Sequence, residues 1–258
     1  GMGSYPMVPG HEIVGTVAAL GPEVRHLEIG TRVGVGWQRG ACLACEACGS
    51  GDENLCAANV ATCVGNHGGF ADRVRLDGRF AFPIPEPLAS ENAAPLLCGG
   101  ATVYSPLRRW ARPSMRVGVV GIAGLGHLAL QFARAMGCEV TAISSTPDKE
   151  AEAHSFGAHR FVATKEKGAL RSAASSLDFV LSPVYATPDW EGLLAALRPN
   201  GTLCLVGATS EPLSVQAFTL LGAQKTVTGS VIGGRPAIRE MLEFAARHGV
   251  AAKTQVRP

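Results

Sequence analysis

The sequence has little charge and none of the features of a disordered or membrane-spanning chain. Charged residues make up 17% of the 258 residues and the net charge is +2, so neither a nucleic acid nor an anionic membrane surface is indicated as a partner. No apolar run is long enough to cross a bilayer. Residues 1–10 lack the basic and then apolar segments of a secretory signal. We find no short-period repeat, and the 47% apolar content predicts a globular protein of one large or two smaller domains.

The eight cysteines are unevenly distributed, and this indicates the cellular compartment. Four of them fall between positions 42 and 56, and the others are scattered. Disulfide frameworks belong to small secreted proteins, whereas a single tight cluster is typical of a metal site in a reducing compartment. The sequence therefore predicts a cytoplasmic, metal-binding protein.

The first third of the chain has the sequence pattern of a β-rich domain. Short runs rich in valine and glycine predict strands at residues 13–17, 32–35 and 70–74. A proline-rich crossing follows at 82–87, and Ser90 marks a helix start.

From Met115 onward, strands and helices alternate. Apolar runs predict strands at 117–120, 140–143, 161–162, 179–181, 203–206 and 227–232. Helical spacing predicts helices at 125–136, 149–156, 190–197 and 236–248. Alternation of this kind predicts an α/β domain with a doubly wound parallel sheet.

The clustered cysteines, Cys42, Cys45, Cys48 and Cys56, have the spacing of a closed metal site. Four thiolates around one ion favour structural zinc, with no coordination position left open for chemistry. An iron–sulfur cluster is the rival, but its bacterial signature has a gap of three residues before the last cysteine and a proline after it. Chance clustering of small buried residues is the plain alternative, and the neighbouring glycines, which supply turns, argue against it.

A glycine-rich loop follows the strand predicted at 117–120 and opens the next helix. Gly121, Gly124 and Gly126 could present backbone N–H groups to a pyrophosphate. Ala123 departs from the dinucleotide-binding pattern, which has glycine there. A purely structural turn remains an alternative for this loop taken alone.

The end of the next strand indicates which dinucleotide would bind. Where an NAD-binding protein carries an acid for the ribose 2′-hydroxyl, this chain has Ser144, Ser145 and Thr146, with Lys149 just beyond. Hydroxyls and an ammonium can donate to a 2′-phosphate, which favours NADP(H). A helix cap beside a solvated lysine is the alternative, and Asp148 lies nearby.

Together these features resemble the medium-chain zinc-dependent alcohol dehydrogenases, in particular their cinnamyl alcohol dehydrogenase-like branch. The resemblance covers essentially the whole chain in order. It rests on the residues from Tyr5 to Gly15, the four spaced cysteines, the residues from Gly68 to Ala71, those from Pro95 to Tyr104, the glycine loop through His127, the strand end at Ser144, and the residues from Leu197 to Gly201.

The resemblance implies a two-domain architecture. Residues 1–104 would form a partial GroES-like catalytic domain with a structural zinc lobe, residues 105–249 a Rossmann domain, and residues 250–258 the start of a segment returning to the catalytic domain. The family's first cysteine ligand and a Ser or Thr proton relay would precede Gly1, so we expect a chain shortened at both ends. Cys63 is expected to be a small buried residue and not a substitute ligand.

The resemblance also implies the catalytic and cofactor residues. His11 and Cys98 match two zinc ligands, and Glu12 matches a neighbouring carboxylate. Such a zinc binds an alcohol oxygen and lowers its pKa, so that a hydride can pass to the nicotinamide. The implied partners are a small alcohol or aldehyde and a second copy in a homodimer. The implied cofactor-binding residues are Thr102, Gly121, Gly124, Leu125, Gly126, Ser144, Ser145, Thr146, Lys149, Val206, Gly207, Ser230 and Ile232.

Two other functions remain open from the sequence. One is a non-catalytic, zinc-stabilised NADP-binding scaffold, since this chain by itself carries two of three catalytic zinc ligands. The other is a zinc-independent quinone reductase of the same superfamily, which the four cysteines and the His11-Glu12 pair argue against.

Overall fold

The structure is a computed structural model that describes residues 5–165 and 168–256. By its internal contacts the chain divides into two compact units, Gly1–Ala101 with Ile232–Pro258, and Thr102–Val231. The sequence-derived boundaries at 104/105 and 249/250 remain predictions, and residues 257 and 258 of the predicted return segment lie outside the described residues.

Within the described residues, the first unit holds five strands of two to four residues and the second holds six strands of four to nine residues. In chain order they are β1 Ile13–Thr16, β2 Arg32–Val35, β3 Gln38–Gly40, β4 Val60–Ala61, β5 Phe82–Pro83, β6 Arg116–Val120, β7 Glu139–Ser144, β8 Arg160–Ala163, β9 Leu177–Ser182, β10 Leu197–Leu205 and β11 Thr226–Gly229.

Eight α-helices and five 3₁₀ turns complete the described elements. The α-helices are α1 Glu46–Gly49, α2 Ser90–Ala93, α3 Gly99–Trp110, α4 Gly124–Ala135, α5 Glu150–Ser155, α6 Trp190–Ala196, α7 Ala217–Leu221 and α8 Arg235–His248. The 3₁₀ turns span Glu53–Leu55, Gly78–Phe80, Ala94–Leu97, Pro147–Lys149 and Ala169–Ala173. No helix in the described parts of the chain combines the length and the apolar character needed to cross a membrane.

The first unit is built on two small antiparallel sheets. β2 lies between β1 and β5, with Ile13 opposite Val35, and β3 pairs with β4. The strands predicted at 13–17 and 32–35 are confirmed. β2 is buried over most of its length, and its Gly34 leaves room for the side chains of Leu97 and Ile84.

The strand predicted at 70–74 is wrong. Phe70 is 79% exposed, and its backbone N–H is hydrogen-bonded to another loop. Gly68 donates to the carbonyl of Val8 at 2.7 Å, and Phe70 donates to that of Pro9 at 3.0 Å. The short run of residues that predicted a strand therefore begins in a loop that is hydrogen-bonded to the residues preceding His11.

The second unit is a single parallel sheet of six strands in the order β11-β10-β9-β6-β7-β8. From β6 the chain first runs outward to β7 and β8, and then crosses to β9 on the other side. This reversal is the switch point at which doubly wound sheets bind ligands beyond the carboxyl ends of their strands. The continuous apolar run of β6 reflects burial on both faces, with Val117 and Val119 wholly buried.

Most elements predicted for this unit are confirmed with small shifts of their ends, but β10 begins at Leu197, six residues before the predicted 203. β11 ends at Gly229, short of the predicted 232. Its partner β10 ends at Leu205, whose carbonyl accepts a hydrogen bond from Ser230, so no strand lies beside the residues that follow. Ile232 then adopts a positive φ of 49°, which is not a strand conformation. The sequence did not predict α3 and α7. α3 contains Gly99, Gly100 and Pro106, residues that disfavour helix.

Candidate functional site

The four clustered cysteines converge in space as their spacing predicted. Their sulfur atoms all lie within 4.8 Å of one another. The Sγ atom of Cys42 is 3.9 Å from that of Cys48 and 3.5 Å from that of Cys56. Sulfurs about 2.3 Å from a tetrahedral zinc are separated by about 3.8 Å, so the donor set and its spacing fit zinc.

The local backbone favours deprotonation within this cluster. Hydrogen bonds from the backbone N–H groups of Ala44 and Cys45 lower the pKa of Cys42 to about 6. Burial, together with smaller contributions from the neighbouring cysteines, raises the pKa of Cys48 to about 12. Without a cation, Cys42 therefore forms a thiolate readily, whereas Cys48 resists deprotonation. A bound divalent ion would neutralise the negative charge of several thiolates and allow them to form together.

The lobe that carries these cysteines is anchored by a buried carboxylate. Glu53 is 1% exposed and accepts hydrogen bonds from the backbone N and the Nε atom of Arg235, at 2.9 and 2.7 Å. Its backbone carbonyl accepts from Nε2 of Gln38 at 2.7 Å. Gly51 and Gly234 make a close backbone approach beside this pair, and a Cβ atom on Gly234 would overlap the carbonyl oxygen of Gly51.

A second group of possible metal ligands consists of His11, Glu12 and Cys98. Their ligand atoms lie within 4.8 Å of one another. His11 and Glu12 directly precede β1, and Cys98 lies between the 3₁₀ turn Ala94–Leu97 and α3. The structure thus brings Cys98 next to His11 and Glu12, although His11 and Cys98 are 87 residues apart in the sequence.

The protonation of this group is set mainly by burial. Burial lowers the pKa of His11, which keeps the imidazole neutral and able to bind a metal. Burial raises the pKa of the Cys98 thiol to about 12, with smaller contributions from Glu12 and Cys63. Although Glu12 reaches solvent, desolvation raises its pKa against the lowering effect of a hydrogen bond from the Gly99 backbone.

Two neighbours of His11 were not identified as such from the sequence. The Trp37 ring meets the His11 ring edge to face, and the Sγ atom of Cys63 lies 3.9 Å from its Nδ1 atom. Cys63 is buried, as expected. Local spacing could not reveal either contact, because each depends on tertiary folding across 26 or more residues.

The glycine-rich loop has the geometry of a tight strand-to-helix turn. Gly121 has a φ of +77°, which favours glycine, and a Cβ atom on Gly126 would overlap the Gly121 carbonyl oxygen. Ala123 has φ −81° and ψ −159°, an extended conformation that alanine adopts freely. It is exposed, and Gly124 has open space around its Cα, so the departure from the glycine pattern leaves the loop unobstructed. Leu125 lies in the first turn of α4.

The residues predicted to read the 2′-phosphate lie at the end of β7. Ser144 is buried, and its Oγ atom accepts a hydrogen bond from the backbone N of Thr146 at 3.2 Å. Ser145 and Thr146 are exposed, and Lys149 is half-buried at the end of the 3₁₀ turn Pro147–Lys149. Asp148, the one acid of this segment, is exposed.

The remaining predicted cofactor residues occupy different positions. Val206 and Gly207 follow β10 and donate to the carbonyl of Ser182 at the carboxyl end of β9, at 3.0 and 3.2 Å. Ser230 follows β11 directly. Thr102 is buried within α3, and Ile232 precedes α8.

Comparison with known proteins identifies relatives over nearly the whole chain. Residues 124–247 match the family described as zinc-binding dehydrogenase, and residues 1–86 match the alcohol dehydrogenase GroES-like domain. The chain is 45% identical over 251 residues to an aldehyde reductase AdhA of Synechocystis, covering 97% of this chain and 75% of the relative. It is 39% identical over 266 residues to cinnamyl alcohol dehydrogenase 7 of Arabidopsis thaliana, covering 99% of this chain and 74% of the relative.

Solved structures give the same result for the fold. A cinnamyl alcohol dehydrogenase of Sorghum bicolor superimposes with a TM-score of 0.93 at 40% identity, covering 97% of this chain and 74% of that one. A cinnamyl alcohol dehydrogenase of Helicobacter pylori, solved with NADP(H), gives 0.86 at 32% identity, covering 96% and 74%. The predicted combination of a GroES-like domain and a Rossmann domain is confirmed.

Proposed function

Because the chain belongs to the zinc-binding alcohol dehydrogenase family, we propose that it is an oxidoreductase that transfers a hydride between NADP(H) and a primary alcohol or aldehyde. The observation that carries this proposal is the convergence of His11, Glu12 and Cys98 in a chain that also has an open dinucleotide loop. The names of its relatives, an aldehyde reductase and cinnamyl alcohol dehydrogenases, support the substrate class.

The four-cysteine lobe has a structural role in this proposal. Cys42, Cys45, Cys48 and Cys56 hold one zinc with no open position, so this ion stabilises the fold and takes no part in the chemistry. Eight free thiols, none of them paired in a disulfide, suit a reducing compartment, and we place the protein in the cytoplasm.

The second group supplies the catalytic site. His11, neutral through burial, and Cys98, once deprotonated, would bind a zinc whose chemistry is to polarise the substrate oxygen. Glu12 lies close enough to exchange with another ligand. Burial keeps the Cys98 thiol protonated without a metal, so metal binding at this site releases a proton and weakens as the pH falls.

On the cofactor side, the loop from Gly121 to Gly126 binds the pyrophosphate at the start of α4. Ser144, Ser145, Thr146 and Lys149 bind the 2′-phosphate, and this preference for NADP(H) is supported by the cofactor named for the Helicobacter pylori relative. The nicotinamide half of the cofactor contacts five further residues, Thr102, Val206, Gly207, Ser230 and Ile232.

The alternative that the sequence left open is a non-catalytic, zinc-stabilised scaffold. Such a scaffold would bind NADPH but would not oxidise it in the presence of an aldehyde.

The test measures aldehyde-dependent NADPH oxidation with zinc supplied. The protein is compared with its His11→Ala and Cys98→Ser variants. Turnover that both substitutions abolish supports the proposal. Turnover that survives both substitutions contradicts the assigned site, and NADPH binding without any turnover favours the scaffold.

A further inference from the structure

Trp37 packs directly against the proposed ligand His11. The ring centroids are 5.0 Å apart and the ring planes are 87° apart, an edge-to-face contact. We infer that Trp37 is a positioning residue, which fixes the plane of the His11 imidazole so that its ring nitrogen faces the metal. This inference rests on the proposed function, because it requires His11 to be a ligand.

The backbone around Trp37 is fixed by Thr62. The Thr62 backbone N donates to the Trp37 carbonyl at 2.8 Å, and its Oγ1 atom donates to the Gly36 carbonyl at 2.5 Å. Thr62 is wholly buried, so both hydrogen bonds are shielded from water. Directly after Trp37, β3 begins at Gln38, whose side chain donates a hydrogen bond to the backbone carbonyl of Glu53 in the cysteine lobe. The indole therefore projects from a backbone with little freedom to move.

The same segment also supports the second proposed ligand. Gly36 packs so closely on Leu97 that a Cβ atom at position 36 would overlap the Leu97 carbonyl oxygen. Leu97 immediately precedes Cys98. One short stretch, Gly36 and Trp37, thus contacts one ligand through a ring and the neighbour of the other ligand through its backbone.

Cys63 borders the imidazole of His11 at a ring nitrogen. It follows Thr62 directly, and its Sγ atom lies 3.9 Å from the Nδ1 atom of His11. Among the described residues, the converging ligand atoms belong to His11, Glu12 and Cys98 and do not include Cys63. A sulfur next to Nδ1 favours metal binding through Nε2, because the partner of one ring nitrogen sets the role of the other. Residues 36–37 and 62–63 are joined by the hydrogen bonds of Thr62. Trp37 restricts the ring of His11, and Cys63 restricts its Nδ1 atom.

Restraint of a ligand ring has a measurable consequence for metal binding. Groups that orient a metal-binding histidine typically change metal affinity about 10–100-fold when they are removed. Trp37→Leu should weaken the metal site at His11 by a factor in that range, while Trp37→Phe, which keeps an aromatic ring, should restore much of the affinity. The four-cysteine site, which Trp37 does not contribute to, should keep its ion in both variants.

The experiment loads the chain with cobalt(II) in place of zinc and follows its transfer to a chelator. Two readouts are recorded without any turnover: the affinity of each site, and the visible ligand-field spectrum, which reports the geometry around the ion. Trp110→Leu is the matched control, because Trp110 stacks on Phe179 in the other unit. His11→Ala identifies the signal that belongs to the proposed catalytic site.

The outcomes separate the two levels of the argument. If His11→Ala leaves all bound cobalt in place, the proposed function fails at its metal site. If His11→Ala releases one ion but Trp37→Leu keeps wild-type affinity and spectrum, only the role of Trp37 is refuted. Should Trp37→Leu not fold, Thr62→Val, which removes a hydrogen bond that fixes the backbone beside Trp37, is measured by the same two readouts, and wild-type values in it overturn the inference.

Discussion

Arg235, the first residue of α8, donates from Nε to Oε1 of Glu53 at 2.7 Å, and from its backbone N to Oε2 at 2.9 Å. Glu53 is 1% exposed, whereas the Arg235 side chain is 22% exposed. The pair joins the cysteine lobe to a helix 182 residues later in the chain. A carboxylate this deeply buried stabilises the fold only while its partner is present.

We expect Glu53→Gln to destabilise the zinc-loaded protein by about 3–5 kcal/mol, because loss of one partner leaves the other without compensation. Urea unfolding monitored by circular dichroism measures this. Glu46→Gln, an exposed acid in the same lobe, serves as the control and should cost little. Equal losses in both variants would show that the buried pair has no special role.

Cys45→Ser should release about one metal equivalent and lower the thermal stability, because three thiolates no longer close the structural site. Metal analysis by plasma mass spectrometry and a melting curve give the two values. Cys138→Ala removes a buried thiol outside the lobe and should leave the metal content unchanged. Full metal content in Cys45→Ser would refute the four-cysteine site.

Lys149→Ala should weaken NADPH binding and leave NADH binding nearly unchanged, since only NADPH carries the 2′-phosphate. The loss should shrink at high salt, where charge interactions at the surface are screened. Quenching of protein fluorescence gives both dissociation constants, and Lys253→Ala controls for the loss of one positive charge elsewhere. A similar loss for both cofactors would remove the lysine from phosphate recognition.

The pKa of Asp178 makes the free energy of unfolding depend on pH. Burial acts to raise its pKa, but hydrogen bonds from the side chain and backbone of Arg116 and from Arg198 outweigh it, and the pKa lies below the usual value. A lowered folded-state pKa gives stability that is full above the unfolded value of about 4 and is lost as pH falls through the folded value.

Asp178→Asn should therefore reduce stability at neutral pH and flatten its decline in acid. Urea midpoints measured from neutral pH down to about pH 3, below the unfolded value of about 4, give both effects. Asp148→Asn, an exposed acid, is the control. Parallel pH profiles for Asp178→Asn and the wild-type protein would contradict this account.

A homodimer is expected at the free edge of the six-stranded sheet. β11 is the edge strand, and the preceding helix α7 exposes Phe218 and Leu221 at 79% and 72%. Phe218→Ser with Leu221→Ser should shift the mass measured by light scattering from two chains toward one. The control replaces an exposed pair of the other unit, Ile29→Ser with Leu55→Ser, and should leave the mass unchanged. A monomeric wild-type mass would rule out the dimer.

The sequence predicted the parallel sheet well because burial on both faces leaves a local signature. β6, β7 and β9 are buried at nearly every position, their central residues are largely apolar, and each is bounded by turn residues. The prediction failed at 70–74, where a short run that resembles the other strands lies in a loop, and the N–H groups of residues 68–70 bind the carbonyls of residues 8–10. Local composition indicates which residues favour a strand, but not which backbone partner they find.

The candidate site was predictable to a similar extent. The spacing of Cys42 to Cys56 fixes a cluster because a short loop brings its ends together at little entropic cost. His11 and Cys98 could be paired only by resemblance, since 87 residues separate them. The contacts of Trp37 and Cys63 with His11 had no local signal at all, because they depend on how Thr62 joins two segments in the folded protein.

The bond between Glu53 and Arg235 also constrains the order in which the protein can mature during its synthesis. A ribosome makes the cysteine lobe early and α8 much later, so Glu53 has no counter-charge until 182 more residues have been added. Loop closure over such a length costs only about 0.6 kcal/mol for each doubling, so the delay is one of timing and not of equilibrium. The nascent lobe can therefore take up its metal before the carboxylate is neutralised, and acquires its full stability only after α8 has been made.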